Sequence, residues 1–162
     1  MKDEGYEVSG LSWKDHEYST SALMSGQVGW DWFSIQLLDG FDLMVFQIRR
    51  ADGSIDPFSS GTLIAPDGKA HNLSAKDFDV LVTDTWRSPG SGVEYPAGWT
   101  VLIPEYDLEL LVTPTISDQE MDVSFIYWEG AVHVQGQNGG KPVEGNGYVE
   151  LTGYGNSMEG EF

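Results

Sequence analysis

Cysteine is absent from this 162-residue chain, which excludes disulfide bonds, thiolate nucleophiles and cysteine-ligated zinc. Basic residues are scarce: 8 lysines and arginines face 26 aspartates and glutamates, for a formal net charge of −18. Such a field repels nucleic-acid phosphates and anionic lipid surfaces, so we expect no nucleic-acid partner. The acidic residues are spread along the chain, as expected for a solvated exterior, for high solubility or for adaptation to salt.

Long hydrophobic runs are also missing. No stretch reaches about 18 apolar residues, so we expect no membrane insertion. The segment Met1–Glu4 has no apolar signal core, although an exported precursor could have lost its signal, so export stays open. The three histidines (His16, His71 and His133) are too scattered to predict a zinc site, and no phosphate-binding, dinucleotide or EF-hand motif is present. We therefore expect neither metal nor cofactor.

Aromatic residues and short turn signals are abundant. Apolar residues make up 40% of the chain and aromatic residues 12%, which is enough to build the core of one domain. Asp39-Gly40 lies between two runs of strand length, and this dipeptide is typical of a type I′ hairpin turn. Further turn signals are Asp52-Gly53, Pro66-Asp67-Gly68, Pro89–Gly92, Gly139-Gly140 and Gly145-Asn146-Gly147.

Alternation of side chains predicts strands between these turns. Nine strands are expected, at 6–13, 28–38, 41–50, 58–65, 77–85, 95–103, 108–113, 123–135 and 148–153. Residues 73–78 could form one short helical turn with Ser74 as its cap. Many short antiparallel strands indicate an all-β sandwich or barrel. Large aromatic residues on both faces of several strands favour the barrel, whose interior at about eight strands can hold one small ligand.

Five segments carry a family resemblance. They are 13–18 (WKDHEY), 26–33 (GQVGWDWF), 57–64 (PFSSGTLI), 127–132 (YWEGAV) and 147–154 (GYVELTGY). In this order they resemble the carotenoid 1,2-hydratase (hydroxyneurosporene synthase) and AttH-like family of lipocalin-like proteins. The resemblance implies a single antiparallel lipocalin-like, calycin-type β-barrel across residues 1–162, with a lead-in segment at 1–25 and the barrel at 26–154.

The resemblance also implies a partner and a range of activities. Family members usually contain two barrels in tandem, and this chain resembles the C-terminal one. A homodimer could therefore replace the missing second barrel. Activities in the wider group include addition of water to a polyene terminus and pericyclic cyclisation, but kinship of fold does not choose among them.

Acid-catalysed addition to an alkene needs a proton donor beside an apolar cavity and electron-rich rings that stabilise a cation. Three segments combine carboxylates with aromatic rings: 13–18, 30–32 and 128–129. The catalytic candidates are Asp31, His16, Glu17 and Asp15. The ligand-binding candidates are Trp30, Trp32, Tyr18, Trp128, Glu129 and Trp13.

Each candidate also has a structural alternative. Neighbours on a strand point to opposite faces, so Asp31 cannot share a face with the indoles on either side of it. Asp31 and Glu129 could instead cap a turn or hold a basic residue such as Arg49, and the tryptophans could be core residues. Glu150 is predicted to be structural.

Two functions from different classes follow. The first is a cofactor-independent hydratase or cyclase acting on a polyene, isoprenoid or polyketide-like substrate. The second is a non-catalytic lipocalin-type carrier of an apolar small molecule. An enzyme of this type needs a carboxylate without a basic partner in its cavity, whereas an unpaired buried carboxylate would weaken a carrier.

If Asp31 is the proton donor, we expect Asp31→Asn to abolish turnover and to spare ligand binding, because the amide keeps the shape of the side chain but cannot act as the acid. Parallel turnover and binding assays measure this. Equal turnover by the variant would remove Asp31 from the mechanism.

Overall fold

The computed structural model describes residues 5–15 and 23–158. These residues contain ten strands and one turn of 3₁₀-helix at Pro104–Tyr106, so the all-β prediction is confirmed. The strands are β1 (Gln27–Leu37), β2 (Asp42–Arg50), β3 (Ser60–Ile64), β4 (Ala70–Ser74), β5 (Asp79–Arg87), β6 (Glu94–Ile103), β7 (Leu108–Pro114), β8 (Glu120–Asp122), β9 (Ile126–Asn138) and β10 (Lys141–Leu151).

All strands belong to one antiparallel sheet. Its order is β4-β3-β2-β1-β10-β9-β7-β6-β5, and the short strand β8 adds to β9. The long strands β1, β10 and β9 lie side by side in the middle, so the last strand of the chain pairs with the first. Within the described ranges no ladder joins β4 to β5, and the sheet therefore ends at these two strands as a half-barrel.

The sheet curls around an apolar core. The ring of Phe33 in β1 meets Trp99 in β6 at 5.5 Å between centroids, although β10, β9 and β7 lie between these strands. Only strong curvature brings two such strands together across an interior. The inner face buries apolar side chains from most of the strands, including Phe33, Ile35, Leu43, Val45, Leu63, Leu73, Trp99, Val101, Leu110, Val132, Val134 and Val149.

Several strand boundaries differ from the prediction. The expected strand at 6–13 is wrong, since residues 5–15 form no strand. Strands β4 and β8 were not predicted, and β10 begins at Lys141, seven residues before the predicted start at Tyr148. The sequence around Gly145 and Gly147 predicts a turn, but both residues lie in β10. A Cβ at either position would clash with a backbone carbonyl oxygen of β1. Glycine here permits close approach of two strands.

The β1–β2 hairpin is confirmed, but its turn type is not. Gly40 has φ +92°, whereas Asp39 is not among the residues of positive φ, so the type I′ prediction is wrong. The Gly40 amide donates to the Leu37 carbonyl and the Leu37 amide to the Phe41 carbonyl. This is the three-residue loop in which a left-handed glycine follows a type I turn. Residues 75–77 form a turn closed by the Ser74 hydroxyl and Asp77, and no helix.

Asp56 anchors the loop between β2 and β3. Its side chain is 1% exposed and accepts hydrogen bonds from Gln27 Nε2 at 2.8 Å, the Phe58 amide at 2.9 Å and Arg50 Nε at 2.9 Å. The Gln27 bond, followed by the Phe58 amide and Arg50, lowers the pKa of Asp56.

We expect Asp56→Asn to reduce the decrease in the free energy of unfolding that occurs as the pH falls. A carboxylate whose pKa is lower in the folded state stabilises the fold above about pH 4 and loses that contribution as the pH falls. Urea denaturation from neutral pH to about pH 3 measures the effect. Asp67→Asn, in an exposed turn, is the control. Parallel profiles for wild type and Asp56→Asn would contradict the assignment.

Candidate functional site

The alternation of β1 separates the candidate residues onto two faces. Asp31 shares the inner face with Phe33, whose ring reaches Trp99 across the core. Trp30 and Trp32 share the outer, convex face, and both are half-buried. The same alternation in β9 places Trp128 inside and Glu129 outside. A single site therefore cannot contain Asp31, Trp32 and Trp128 together.

Asp31 is the centre of an interior polar cluster. Its carboxylate accepts from Arg49 Nε at 3.0 Å through one oxygen and from the Tyr154 hydroxyl at 3.0 Å through the other. The Arg49 guanidinium lies 3.8 Å from the centroid of the Tyr154 ring and also donates to the Thr152 carbonyl. Gly29 leaves room for it, since a Cβ there would lie 2.8 Å from Arg49 Nη2.

Burial and pairing act on Asp31 in opposite directions. Burial raises its pKa, while the charge of Arg49 and the hydrogen bonds from Tyr154 and Arg49 oppose the shift. Burial, with the nearby Asp31 charge, also raises the pKa of the Tyr154 hydroxyl, which keeps it a donor. Asp31 thus has the basic partner that the structural alternative requires, and Asp31→Asn would leave Arg49 without its counter-charge.

A groove lies on the convex face of β1, β10 and β9. It encloses about 720 Å³, and the lead-in residues Gly10–Trp13 and Asp15 form one of its sides. The floor consists of adjacent cross-strand rows. These rows are Trp32–Glu150–Glu129, Ser34–Tyr148–Ala131 and Gln36–Asn146. Because the register of the three strands sets these rows, the floor is as rigid as the sheet.

Aromatic rings form the apolar part of the groove. Trp13, from the lead-in, meets Trp32 edge-on with 6.3 Å between ring centroids. Its indole N–H donates to Asp15 Oδ1 at 3.0 Å, which fixes the orientation of the ring. Tyr148, from the neighbouring row, is 39% exposed and extends the aromatic surface.

The charge of the groove has one sign. Three carboxylates line it, those of Asp15, Glu129 and Glu150, and no lysine, arginine or histidine of the described residues does. Burial first, and then Glu129 and Glu150, raise the pKa of Tyr148. Glu129 takes part in none of the three ion pairs found among the described residues.

The structure brings together four of the predicted site residues: Trp13, Asp15, Trp32 and Glu129. Trp128 is 1% exposed and packs against Trp99, and its indole N–H donates to the Ser117 carbonyl at 2.8 Å. Trp30 lies on the convex face but outside the groove lining. His16, Glu17 and Tyr18 lie outside the described residues.

Sequence reasoning missed Ser34, Gln36, Asn146, Tyr148 and Glu150 as lining residues. The missing information was the pairing of β1 with β10, which sets Glu150 beside Trp32. Period-two alternation does place Trp32, Ser34 and Gln36 on one face, so part of the floor could have been found from β1 alone.

The described residues contain no group of three or more metal-ligating side chains arranged to hold an ion. Within 5–15 and 23–158 no helix has the length and apolar character of a membrane span.

The model of the AttH-like family matches residues 1–154. The chain belongs to the AttH-like family. A crystal structure of a provisionally named AttH protein from Nitrosomonas europaea is similar to this chain, with 37% sequence identity and a TM-score of 0.74. The match covers 84% of this chain and 42% of that protein, so this AttH-like chain corresponds to less than half of its relative. No curated protein matches the chain.

We expect Arg49→Met to lower the free energy of unfolding by about 3–5 kcal/mol, because it leaves Asp31 buried without its cation. Arg87→Met is the matched control: its ion pair with Glu94 has the same 3.0 Å separation but is exposed, so we expect a loss below about 1 kcal/mol. Urea denaturation measures both. Equal losses of unfolding free energy in the two variants would show that burial does not increase the contribution of the Asp31–Arg49 pair to stability.

Proposed function

We propose that this AttH-like chain binds an apolar, flat small molecule in the convex groove. The observation that carries the proposal is the aromatic lining of the groove: Trp13 meets Trp32 edge-on, and Trp32 and Tyr148 belong to a floor whose rows are fixed by strand register. The volume of about 720 Å³ lies within the range typical of small-molecule sites. Tryptophan and tyrosine bind flat apolar groups through large contact areas.

The inner face of the sheet supports this choice of site. Phe33 and Trp99 are each 0% exposed and Trp128 is 1% exposed, and these rings pack against one another. Asp31 is held by Arg49 and Tyr154 on the same face. The side chains of Asp31, Phe33, Trp99 and Trp128 are therefore enclosed by the core, whereas Trp32 and Glu129 in the groove are only half-buried.

Acid-catalysed hydration or cyclisation in the same groove is the second candidate function. One observation favours it: Glu129 is a carboxylate in the groove that belongs to none of the ion pairs of the described residues. In such a reaction the acid protonates an alkene carbon, water captures the cation, and loss of a proton restores the acid. The product of hydration is the substrate plus one water.

We expect Trp32→Leu to weaken binding of N-phenyl-1-naphthylamine, a neutral fluorescent apolar probe, by at least about fivefold, because the largest ring of the floor is lost. Trp30→Leu is the control, since Trp30 lies two residues away on the same face but outside the groove lining. We expect its effect to stay within about twofold. Titrations that follow the fluorescence of the probe measure both variants, with circular dichroism as the check on folding.

Equal weakening by the two substitutions, or no binding by folded wild type, would overturn the groove assignment. Mass spectrometry of a polyene incubated with the protein separates the two candidate functions. Recovery of the unaltered polyene supports binding alone, a product of unchanged mass but different chromatographic retention supports cyclisation, and a gain of one water supports hydration.

A further inference from the structure

We propose that the groove selects elongated aromatic ligands whose one end carries an uncharged group that both donates and accepts hydrogen bonds, such as a carboxamide. The side-chain amides of Gln36 and Asn146 bind this group, and the indoles of Trp13 and Trp32 bind the aromatic end. This inference rests on the proposed function and adds to it the polar group of the ligand and the direction in which the ligand lies.

Gln36 and Asn146 form a cross-strand pair on the floor of the groove. They lie opposite each other in β1 and β10, and both line the groove. The Cβ atoms of such a pair are about 5 Å apart, so one small polar group can contact both side chains. Because the two residues belong to paired strands, the register of the sheet fixes their positions relative to each other.

Neither of these side-chain amides takes part in a hydrogen bond found among the described residues. Gln36 is half-buried and Asn146 is exposed, and they do not bond to each other. His133, the next residue of the same row, differs in this respect, since its Nε2 lies 3.0 Å from the amide nitrogen of Gln135. The hydrogen-bonding capacity of the Gln36–Asn146 pair is therefore available to a bound molecule.

The chemistry of this pair favours a ligand group that both donates and accepts. Each side-chain amide offers a carbonyl oxygen as acceptor and an NH2 group as donor. A carboxamide on the ligand can bond to both kinds of atom, whereas a carboxylate only accepts and leaves the two carbonyl oxygens without donors. The net charge of −18 also disfavours an anionic ligand.

The spacing along β1 sets the direction of the ligand. Trp32 and Gln36 lie on the same convex face four residues apart, which corresponds to about 13 Å along a strand. Trp13 meets Trp32 edge-on at the aromatic end of the groove. An elongated ligand can contact both the indoles and the amide pair, whereas a compact ligand reaches only one of them.

Three biphenyl derivatives of matched shape test the inference by displacement of N-phenyl-1-naphthylamine from the protein. They are 4-biphenylacetamide, the ketone 1-(4-biphenylyl)propan-2-one, in which a methyl group replaces the NH2 group, and the anion 4-biphenylacetate. The ketone and the anion accept hydrogen bonds but cannot donate them. We expect the amide to bind at least about threefold tighter than the ketone, although the ketone is more apolar, and the anion to bind most weakly.

Gln36→Met should weaken binding of 4-biphenylacetamide about three- to tenfold and change binding of N-phenyl-1-naphthylamine by less than about twofold, because methionine keeps the length of the side chain but removes its amide. Gln137→Met is the matched control: Gln137 is exposed on the convex face of β9 and outside the groove lining, and we expect it to affect neither ligand. Equal weakening of 4-biphenylacetamide in the two variants would overturn the inference.

The outcomes separate the two proposals. If Trp32→Leu weakens binding of the amide and of N-phenyl-1-naphthylamine but Gln36→Met weakens neither, the role of the amide pair is overturned and the groove function stands. Binding of the ketone by wild type as tight as that of the amide would overturn the same inference. Failure of the folded protein to bind the amide and N-phenyl-1-naphthylamine would overturn both proposals.

Discussion

The antiparallel pairing of β1 with β10 is the constraint on which the rest of the molecule depends. It joins the first and last of the described strands in chain order, in the middle of the sheet, and sets Trp32 opposite Glu150. A slip of one residue would exchange the faces of every side chain on the strand, so this register decides which groups are inside. Together with the curvature of the sheet, this alignment places Asp31 in the interior and Trp32 on the convex face.

The two faces of β1 use carboxylates in different ways. Inside, Asp31 is paired with Arg49 and Tyr154, and these contacts connect β1 and β2 to the segment after β10. Outside, Glu129 and Glu150 stand on a half-buried floor beside aromatic rings. The inner arrangement is a closed set of partners that stabilises the half-barrel. The outer arrangement places carboxylates and aromatic rings along a groove of about 720 Å³.

Much of the fold could be predicted from local pattern, because alternation and turn residues are local properties. The β1–β2 hairpin and the all-β class follow from them. Gly145 and Gly147 misled the prediction, since a glycine that permits close contact with β1 has the same sequence signature as a glycine in a turn. Likewise, the segment at 6–13 has strand-like composition but finds no partner strand among the described residues.

The site was harder to predict than the fold. Alternation showed that Asp31 and its neighbouring indoles face opposite ways, but it could not tell which face is inside, because aromatic residues occupy both. The curvature of the sheet decides that, and curvature results from contacts between distant strands such as Phe33 with Trp99. Of the residues predicted for the site, Trp13, Asp15, Trp32 and Glu129 line one groove, whereas Trp128 belongs to the core.

The position of Trp13 on a segment outside the sheet has a consequence for the rate at which a bound molecule would exchange. This indole lies on a segment outside the sheet, and its described contacts are one edge-on ring pair and one hydrogen bond to a near neighbour. A molecule on the convex face could therefore be released by displacement of one short peptide segment while every rung of the half-barrel stays intact. Loop motion, on the scale of nanoseconds to microseconds, would then set only the upper limit on the rate of exchange, and exchange would not wait for the core to open.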